Sequence, residues 1–452
     1  MRLHLRLVAA SLLVVASTVP AGAQTGRSQP PMSKAATLDA LHVRIDRDAD
    51  AVLPKVVALR RLLHQHPELG NREVQTSKLL ADRLRALGYE VRTGVAKTGI
   101  VAVLHGGKPG PVVALRSDMD ALPLTEDTGL PFASTERAQF NGREVGVMHA
   151  CGHDFHMAML MGAAEILAGM KADLPGTVKI IFQPAEEGAP AGEEGGAELM
   201  VKEGALENPK VDAIFGLHVG ITPLEAGSIS FRPKGIMAAS DTFSITVRGR
   251  STHGAMPWAG VDPIVVSAQI VLGLQTLISR QADLTTAPAI VSVGTIEGGN
   301  RFNIVPDEVR LTGTIRTFDA DMQKQIHEGV VRTAEHIAAA SGAKAEVKIE
   351  IGNPVTWNDP ALTDRMIPSL KRVAVGTFNP NAQVTTTAED FSAYQKQVPG
   401  LFFFLGVAAK GSAPTSWAAN HSAKFNPDES ALITGVRALA SVAVDFLSGP
   451  VK

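Results

Sequence analysis

The sequence predicts an α/β fold: a catalytic domain on a mostly parallel sheet with helices on both faces, interrupted by an inserted α+β domain of ferredoxin-like type. Three observations carry this expectation. Short apolar runs at 101–104, 112–115, 178–182 and 213–217 are separated by helical patterns, the texture of parallel strands joined by crossover helices. Polar residues follow those runs: Asp118 and Asp120, then Glu186 and Glu187, then His218. Open α/β sheets collect their ligands just beyond the carboxyl ends of the strands. From about Ala238 the pattern changes to the order βαββαβ, that of a compact inserted unit.

Taken in order, 76–87 has helical periodicity and Gly88 stops it. A second helix is expected over 155–170. In the insert, 241–247 alternates as a half-exposed strand. Asp262-Pro263 then starts a helix, with a capping carboxylate and Pro at its first position, running to about Gln281. Strands at 290–296 and 308–317, a helix at 320–340 and a strand at 345–351 complete the unit. A core strand at 401–405 returns to the first domain. The expected boundaries are 51–237 and 353–452 for the catalytic domain and 238–352 for the insert, with hinges near 235–239 and 351–354.

Arg2 and Arg6 precede an apolar stretch over 7–19, and Ala21-Gly22-Ala23 fits a small-x-small cleavage site. Residues 1–23 therefore read as a signal peptide, and 24–50 as a disordered lead-in, rich in Ser, Pro and Gln at its start. No later stretch is long and apolar enough to cross a bilayer. The expected location is periplasmic or secreted, with no membrane association after cleavage. With 45% hydrophobic and 19% charged residues, the 452-residue chain can bury a large core. A net charge of −2 with no basic block argues against a nucleic-acid partner. The single cysteine, Cys151, cannot form an internal disulfide.

Cys151 stands two residues before His153, and on an extended segment the two side chains would share a face. With Glu187, His218 and His421 they make five donors. Five exceed one tetrahedral site, so two ions sharing a bridging ligand is the natural reading. Asp118 and Asp120 either ligate or orient a ligand. Glu186 and Glu187 are adjacent and diverge, so one binds metal while the other serves as proton carrier for a bound water. Cys151 favours zinc, while the imidazoles and carboxylate also suit manganese, cobalt or nickel. His156 reads as structural.

The motifs HACGHD, PAEEG, GLHVG, STHGAMP, GGNRFNIVPDE, GTIRTFD and TTAEDF resemble the M20 metallopeptidases, and most closely their amidohydrolase subgroup of hippurate, N-acyl-amino-acid and auxin-conjugate hydrolases. The similarity spans about Arg61 to Phe425. The resemblance implies two divalent ions, zinc or manganese, held by Cys151, His153, Glu187, His218 and His421, with Cys151 bridging. It implies Glu186 as general acid/base and Asp120 as the carboxylate that orients the metal site. It makes the insert a lid and dimerisation domain. There His253 would polarise the scissile carbonyl, often in the partner subunit's site, and Asn303 and Arg316 would hold the substrate's oxyanion and carboxylate. Peptidases elsewhere in the family bridge with aspartate, so Cys151 points to the amidohydrolases. NHSAKF departs from the LHNPKF of many relatives but keeps the histidine.

The expected reaction is metal-dependent hydrolysis of the amide of an N-acyl or N-aroyl amino acid. The metals and Glu186 would provide the nucleophilic hydroxide and the proton for the amine, and the metals with His253 would stabilise the oxyanion. Two alternatives stay open: a dipeptidase or carboxypeptidase using the same chemistry, and a catalytically silent binding protein of the same fold. The expected partners are the small substrate and a second copy of the chain.

Overall fold

Strands buried at nearly every position need cover on both faces, and the apolar runs of this chain meet that condition. The computed structural model describes residues 34–220, 224–413 and 417–449. The signal-peptide expectation for 1–23 lies outside them. Numbering the longer strands in chain order, β1 is Glu90–Val95, β2 Gly99–His105, β3 Lys108–Asp118, β4 Pro175–Gln183 and β5 Ala213–Val219. β6 is Ala239–Arg248, β7 Ala289–Gly298, β8 Glu308–Thr317, β9 Lys344–Ile351 and β10 Gly400–Leu405.

The large sheet runs β1-β2-β4-β3-β5-β10, then the two-residue strands Ile229–Ser230 and Phe378–Asn379. Its centre, β4, β3, β5 and β10, is parallel. The antiparallel pairings lie towards the edges, where β2 meets β1 and β4 and where Ile229–Ser230 meets β10. Helices α1 (Lys34–Gln65), α3 (His153–Gly169) and α9 (Leu432–Ser448) pack on one another, and α3 and α9 lie on β3. The opposite face carries α4 (Gly196–Lys202) and α8 (Ser392–Gln395), which pack together. Arg116 of β3 points that way and reaches Asp390, just ahead of α8. Helices α2 (Val74–Ala86) and α7 (Pro360–Val373) flank the sheet against β1 and α9 respectively.

One expectation is corrected. The disordered lead-in over 24–50 does not hold from residue 34 onward, because α1 begins there. Leu38, Leu41, Ile45, Ala49, Val52 and Val56 are buried at helical spacing, so the helix is held by an apolar stripe against α3 and α9. Residues 24–33 lie outside the described residues.

The insert folds as a separate four-stranded antiparallel sheet in the order β7-β8-β6-β9. Its two helices, α5 (Pro263–Thr276) and α6 (Ala320–Ala340), share a core with Phe243, Ile245 and Leu311 that is distinct from the large one. The Asp262 carboxylate accepts from Ile264 N at 2.8 Å to cap α5, and Asp319 accepts from Met322 N at 2.9 Å to cap α6. The two chain crossings into the insert are tied together. Lys234–Met237 pairs with Thr356–Asn358, and buried Asp241 accepts from Gly352 N at 3.2 Å and from His327 Nε2 at 2.7 Å.

Lys179 of β4 is fully buried, and its ammonium donates to the carbonyls of Ala205, Glu207 and Pro209 at 3.2, 2.7 and 2.8 Å. Removing the donor strands three acceptors. Lys179→Met should lower stability by about 3 kcal/mol, read as an earlier denaturant midpoint with an unchanged slope.

Candidate metal centre

Five segments converge at the carboxyl ends of β3, β4 and β5. Asp118 ends β3, and Asp120 follows two residues later. Glu186 and Glu187 follow β4, and His218 is the penultimate residue of β5. Cys151 and His153 do not lie on an extended segment, as the sequence reading supposed. They flank a tight turn in which Gly152 has φ 94° and His153 opens α3. A Cβ on Gly152 would stand 2.4 Å from Val219, so only glycine allows the turn. His421 arrives from a distant loop, in a left-handed conformation with φ 66°, and its N–H donates to Ala150 O at 2.8 Å.

The donors fall into two groups that share one atom. His218 Nε2 is 3.4 Å from Cys151 Sγ, and His153 joins them within metal-binding range. His421 Nε2 lies 3.3 Å from the same sulfur and 3.0 Å from Glu187 Oε1. Cys151 therefore belongs to both. The imidazoles are oriented by their other nitrogens: His153 Nδ1 donates to Asp120 O at 2.7 Å, and His218 Nδ1 to Val219 O at 2.8 Å. This leaves each Nε2 lone pair facing the cluster. His153 Nε2 is buried with no hydrogen-bond partner, which costs free energy unless a cation takes the lone pair. The residues fit a divalent metal on that ground and on their soft and borderline chemistry.

Charge supports the same assignment. Burial and Glu187 push the Cys151 thiol up, outweighing the opposite pull of His153 and His421. Burial and the neighbouring His156 hold His218 well below the usual histidine range, in the neutral form that ligates. Hydrogen bonds to Cys151 and Glu187 push His421 up to about 10, so a proton occupies the position a metal would take. Glu186 stands apart, 3.9 Å from His153 Nε2. Burial first, then Glu389, Glu187 and Asp390, holds its carboxyl well above the usual range.

Asp118 is drawn away from ligation. Its two oxygens accept from Arg116 Nη1 at 2.8 Å and His156 Nδ1 at 2.6 Å. His156 in turn accepts from Val219 N at 2.9 Å, so it braces β5 beside His218. Asp120 Oδ2 accepts from Glu187 N at 2.9 Å. The lid residues lie elsewhere. His253 is exposed on a short strand paired with Ile304, and Gly254 N donates to Asn303 O at 2.8 Å, so His253 and Asn303 share one rim. Arg316 is on β8, half-buried, on the sheet face away from α5 and α6. Among the described residues, none of the three is hydrogen-bonded to the metal donors.

Several residues that hold the site carry little signal in the local sequence. Arg116 is fully buried and pairs with Asp118, Glu389 and Asp390; the quoted TTAEDF motif was the available sign. Asn420, in the NHSAKF departure, donates to Cys151 O at 2.9 Å and Val219 O at 3.1 Å, tying the two donor segments together. Glu68 of the HPELG loop accepts from Gln75 N and Thr76 N, capping α2.

Residues 114–445 match the model of peptidase family M20/M25/M40. The chain belongs to this family. Thermostable carboxypeptidase 1 of Saccharolobus solfataricus is 38% identical over 405 residues, covering 89% of this chain and 98% of that protein. N-acetyl-L-cysteine deacetylase of Bacillus subtilis is 36% identical, covering 84% and 85%. The crystal structure of the Bacillus subtilis YXEP protein, described as a dinuclear metal binding peptidase from the M20 family, superposes with a TM-score of 0.73 at 35% identity, covering 88% and 99%. The M20 chain described here is accordingly a metal-dependent hydrolase, and its converging donors lie within the matched segment.

Because Cys151 belongs to both donor groups, Cys151→Ala should cost more metal than loss of a terminal ligand. Metal analysis of the purified variant should fall from about two ions per chain to fewer than one, while His421→Ala should retain about one.

Proposed function

We propose that this M20 enzyme hydrolyses the amide bond of N-acyl or N-aroyl amino acids, releasing a carboxylic acid and a free amino acid. The observation that carries the reading is Glu186, a carboxyl with raised proton affinity 3.9 Å from His153 Nε2 and outside the two donor groups that share Cys151. Two divalent ions held by Cys151, His153, Glu187, His218 and His421, zinc or manganese with cobalt or nickel also suited to the donors, would polarise the scissile carbonyl and acidify the attacking water. Glu186 accepts the proton of that water and returns it to the leaving nitrogen. Asp120 holds His153 and the Glu187 backbone in place. His253 and Asn303 meet the developing oxyanion, and Arg316 forks onto the substrate carboxylate. A cleft of about 420 Å³, lined by Glu186, Glu198 and Lys396 and by the crossing residues Gly352 and Asn353, lies beside the carboxyl. The named deacetylase relative favours an acylated substrate; the named carboxypeptidase supports a second reading, cleavage of short peptides.

The same proposal includes export and pairing. Residues 1–23 act as the signal peptide, placing the mature enzyme in the periplasm or outside the cell. A second copy of the chain covers the lid. Val265 and Leu272 on α5, Ile296 on the edge strand β7, and Trp258 and Phe302 beside the His253 rim are all exposed apolar side chains, an arrangement that water disfavours.

Two outcomes are expected. Glu186→Gln should reduce kcat at least ~100-fold with metal content unchanged, assayed on hippurate, N-acetyl-methionine, an indoleacetyl-amino acid and an unblocked dipeptide. Turnover of the dipeptide alone would assign the peptidase reading. Light scattering should give a dimeric mass for the mature protein and a monomeric one for Val265→Asp/Leu272→Asp.

A further inference from the structure

Glu186 sits on a loop that no secondary structure holds, yet its function requires a fixed carboxyl. The loop follows β4 and runs to α4, and its second residue, Ala185, is in a left-handed conformation, φ 52°. That conformation is costly for a residue with a Cβ and persists only where surroundings enforce it. The enforcing group is Glu73. It is fully buried at the N-terminal boundary of α2, but its side chain does not cap that helix. Glu68 caps it instead. Released from capping, the Glu73 carboxylate turns to the loop: Oε1 accepts from Ala185 N at 2.9 Å, and Oε2 accepts from Thr98 Oγ1 at 2.6 Å. On the other side of Glu186, Asp120 Oδ2 accepts from Glu187 N at 2.9 Å.

The contact continues outward. Asn71, itself left-handed at φ 59°, donates to Glu193 Oε2 and Glu194 O, both at 3.0 Å. Arg72 and Lys97 pair with the same Glu193. A Cβ on Gly70 would stand 3.0 Å from Gly188 O and 3.2 Å from Ala185 Cα. The segment 70–73 is thus a fitted bed for the loop.

We propose that Glu73 is a positioning residue for catalysis: with Asp120 it forms a pair of carboxylate tongs that grip the amides on either side of Glu186 and fix its carboxyl beside the metal donors. The inference rests on the reading of Glu186 as the proton carrier. The grip depends on side-chain length and an acceptor oxygen, not on charge. Glu73→Gln keeps the acceptor for Ala185 N, and its amide nitrogen donates to Thr98 in place of the reversed bond. Glu73→Asp keeps the charge but is one methylene too short.

The experiment compares wild type, Glu73→Asp, Glu73→Gln and Glu73→Ala as metal-loaded mature proteins. Glu73→Asp should lose roughly 10- to 100-fold in kcat, the scale of a displaced catalytic group, with KM within a few-fold and metal content unchanged. Glu73→Gln should recover most of that loss. Amide hydrogen exchange, which needs no substrate, should show the 185–188 backbone opening at least ~10-fold more often in Glu73→Asp than in wild type or Glu73→Gln. Glu73→Ala should match or exceed the aspartate variant; should it fail to fold, the Asp and Gln variants decide. A defect in Glu73→Gln with normal Glu73→Asp would show a charge role and overturn the proposal. So would a lower melting temperature with unchanged kcat and unchanged loop exchange. If Glu186→Gln retains turnover, the reading of Glu186 fails, while the exchange data still decide whether Glu73 grips the loop.

Discussion

Arg116 is the cation on which the acidic interior of this enzyme depends. It lies fully buried on β3, with its guanidinium shared among Asp118, Glu389 and Asp390 and a further bond to Gln183 Oε1 at 2.8 Å. Several carboxyls packed without water cannot all remain ionised, and burial with the nearby acids pushes Glu389 up to about 8. Removing one partner of a buried pair costs about 3–5 kcal/mol, because the other charge is left bare. Arg116 compensates Asp118, and Asp118 can then fix His156, which fixes the backbone beside His218. This chain of bonds holds His218 in place. The bonded frame surrounds donor atoms that face one another, with His153 Nε2 left without a hydrogen-bond partner.

That contrast explains the local backbone of the site. Gly152, Ala185 and His421 all adopt left-handed conformations within a few residues of the donors. Such conformations are tolerated when the surroundings over-determine them, and here each is pinned. Gly152 is pressed against Val219, Ala185 is bonded to Glu73, and His421 is bonded to Ala150. The parallel strands supply only the approximate direction; the turns aim the side chains.

The lid obeys different rules. Its core is separate, its sheet is antiparallel, and one face is covered by α5 and α6 while the other carries polar side chains such as Thr242, Ser244, Thr312 and Thr314. The chain crosses into it twice, and Asp241 with the Lys234–Met237 ribbon ties the crossings into one joint. Arg316, on the polar face, and the rim carrying His253 and Asn303 therefore belong to a unit with its own core, distinct from the one that holds the metal donors.

Local sequence was enough for whatever depends on period and on short-range chemistry. The strands at 101–104 and 213–217, the cap at Asp262 and the βαββαβ order follow from residues within a few positions of one another. The same kind of signal, apolar residues at 38, 41, 45 and 49, marked α1, but the polar composition just before it masked the periodicity. The donor types were legible because cysteine, histidine and glutamate at strand ends have few other uses. Their geometry was not. Cys151 and His153 converge through a left-handed glycine rather than strand alternation, and Asp118 is withdrawn from ligation by Arg116 two residues earlier. Glu73 turns from its own helix to a loop 112 residues away. These are outcomes of competition for a limited number of partners inside a buried volume. Sequence determines which groups are present and what each prefers; only the tertiary structure decides which partners are within 3 Å, and so which groups are satisfied and which are left free to bind.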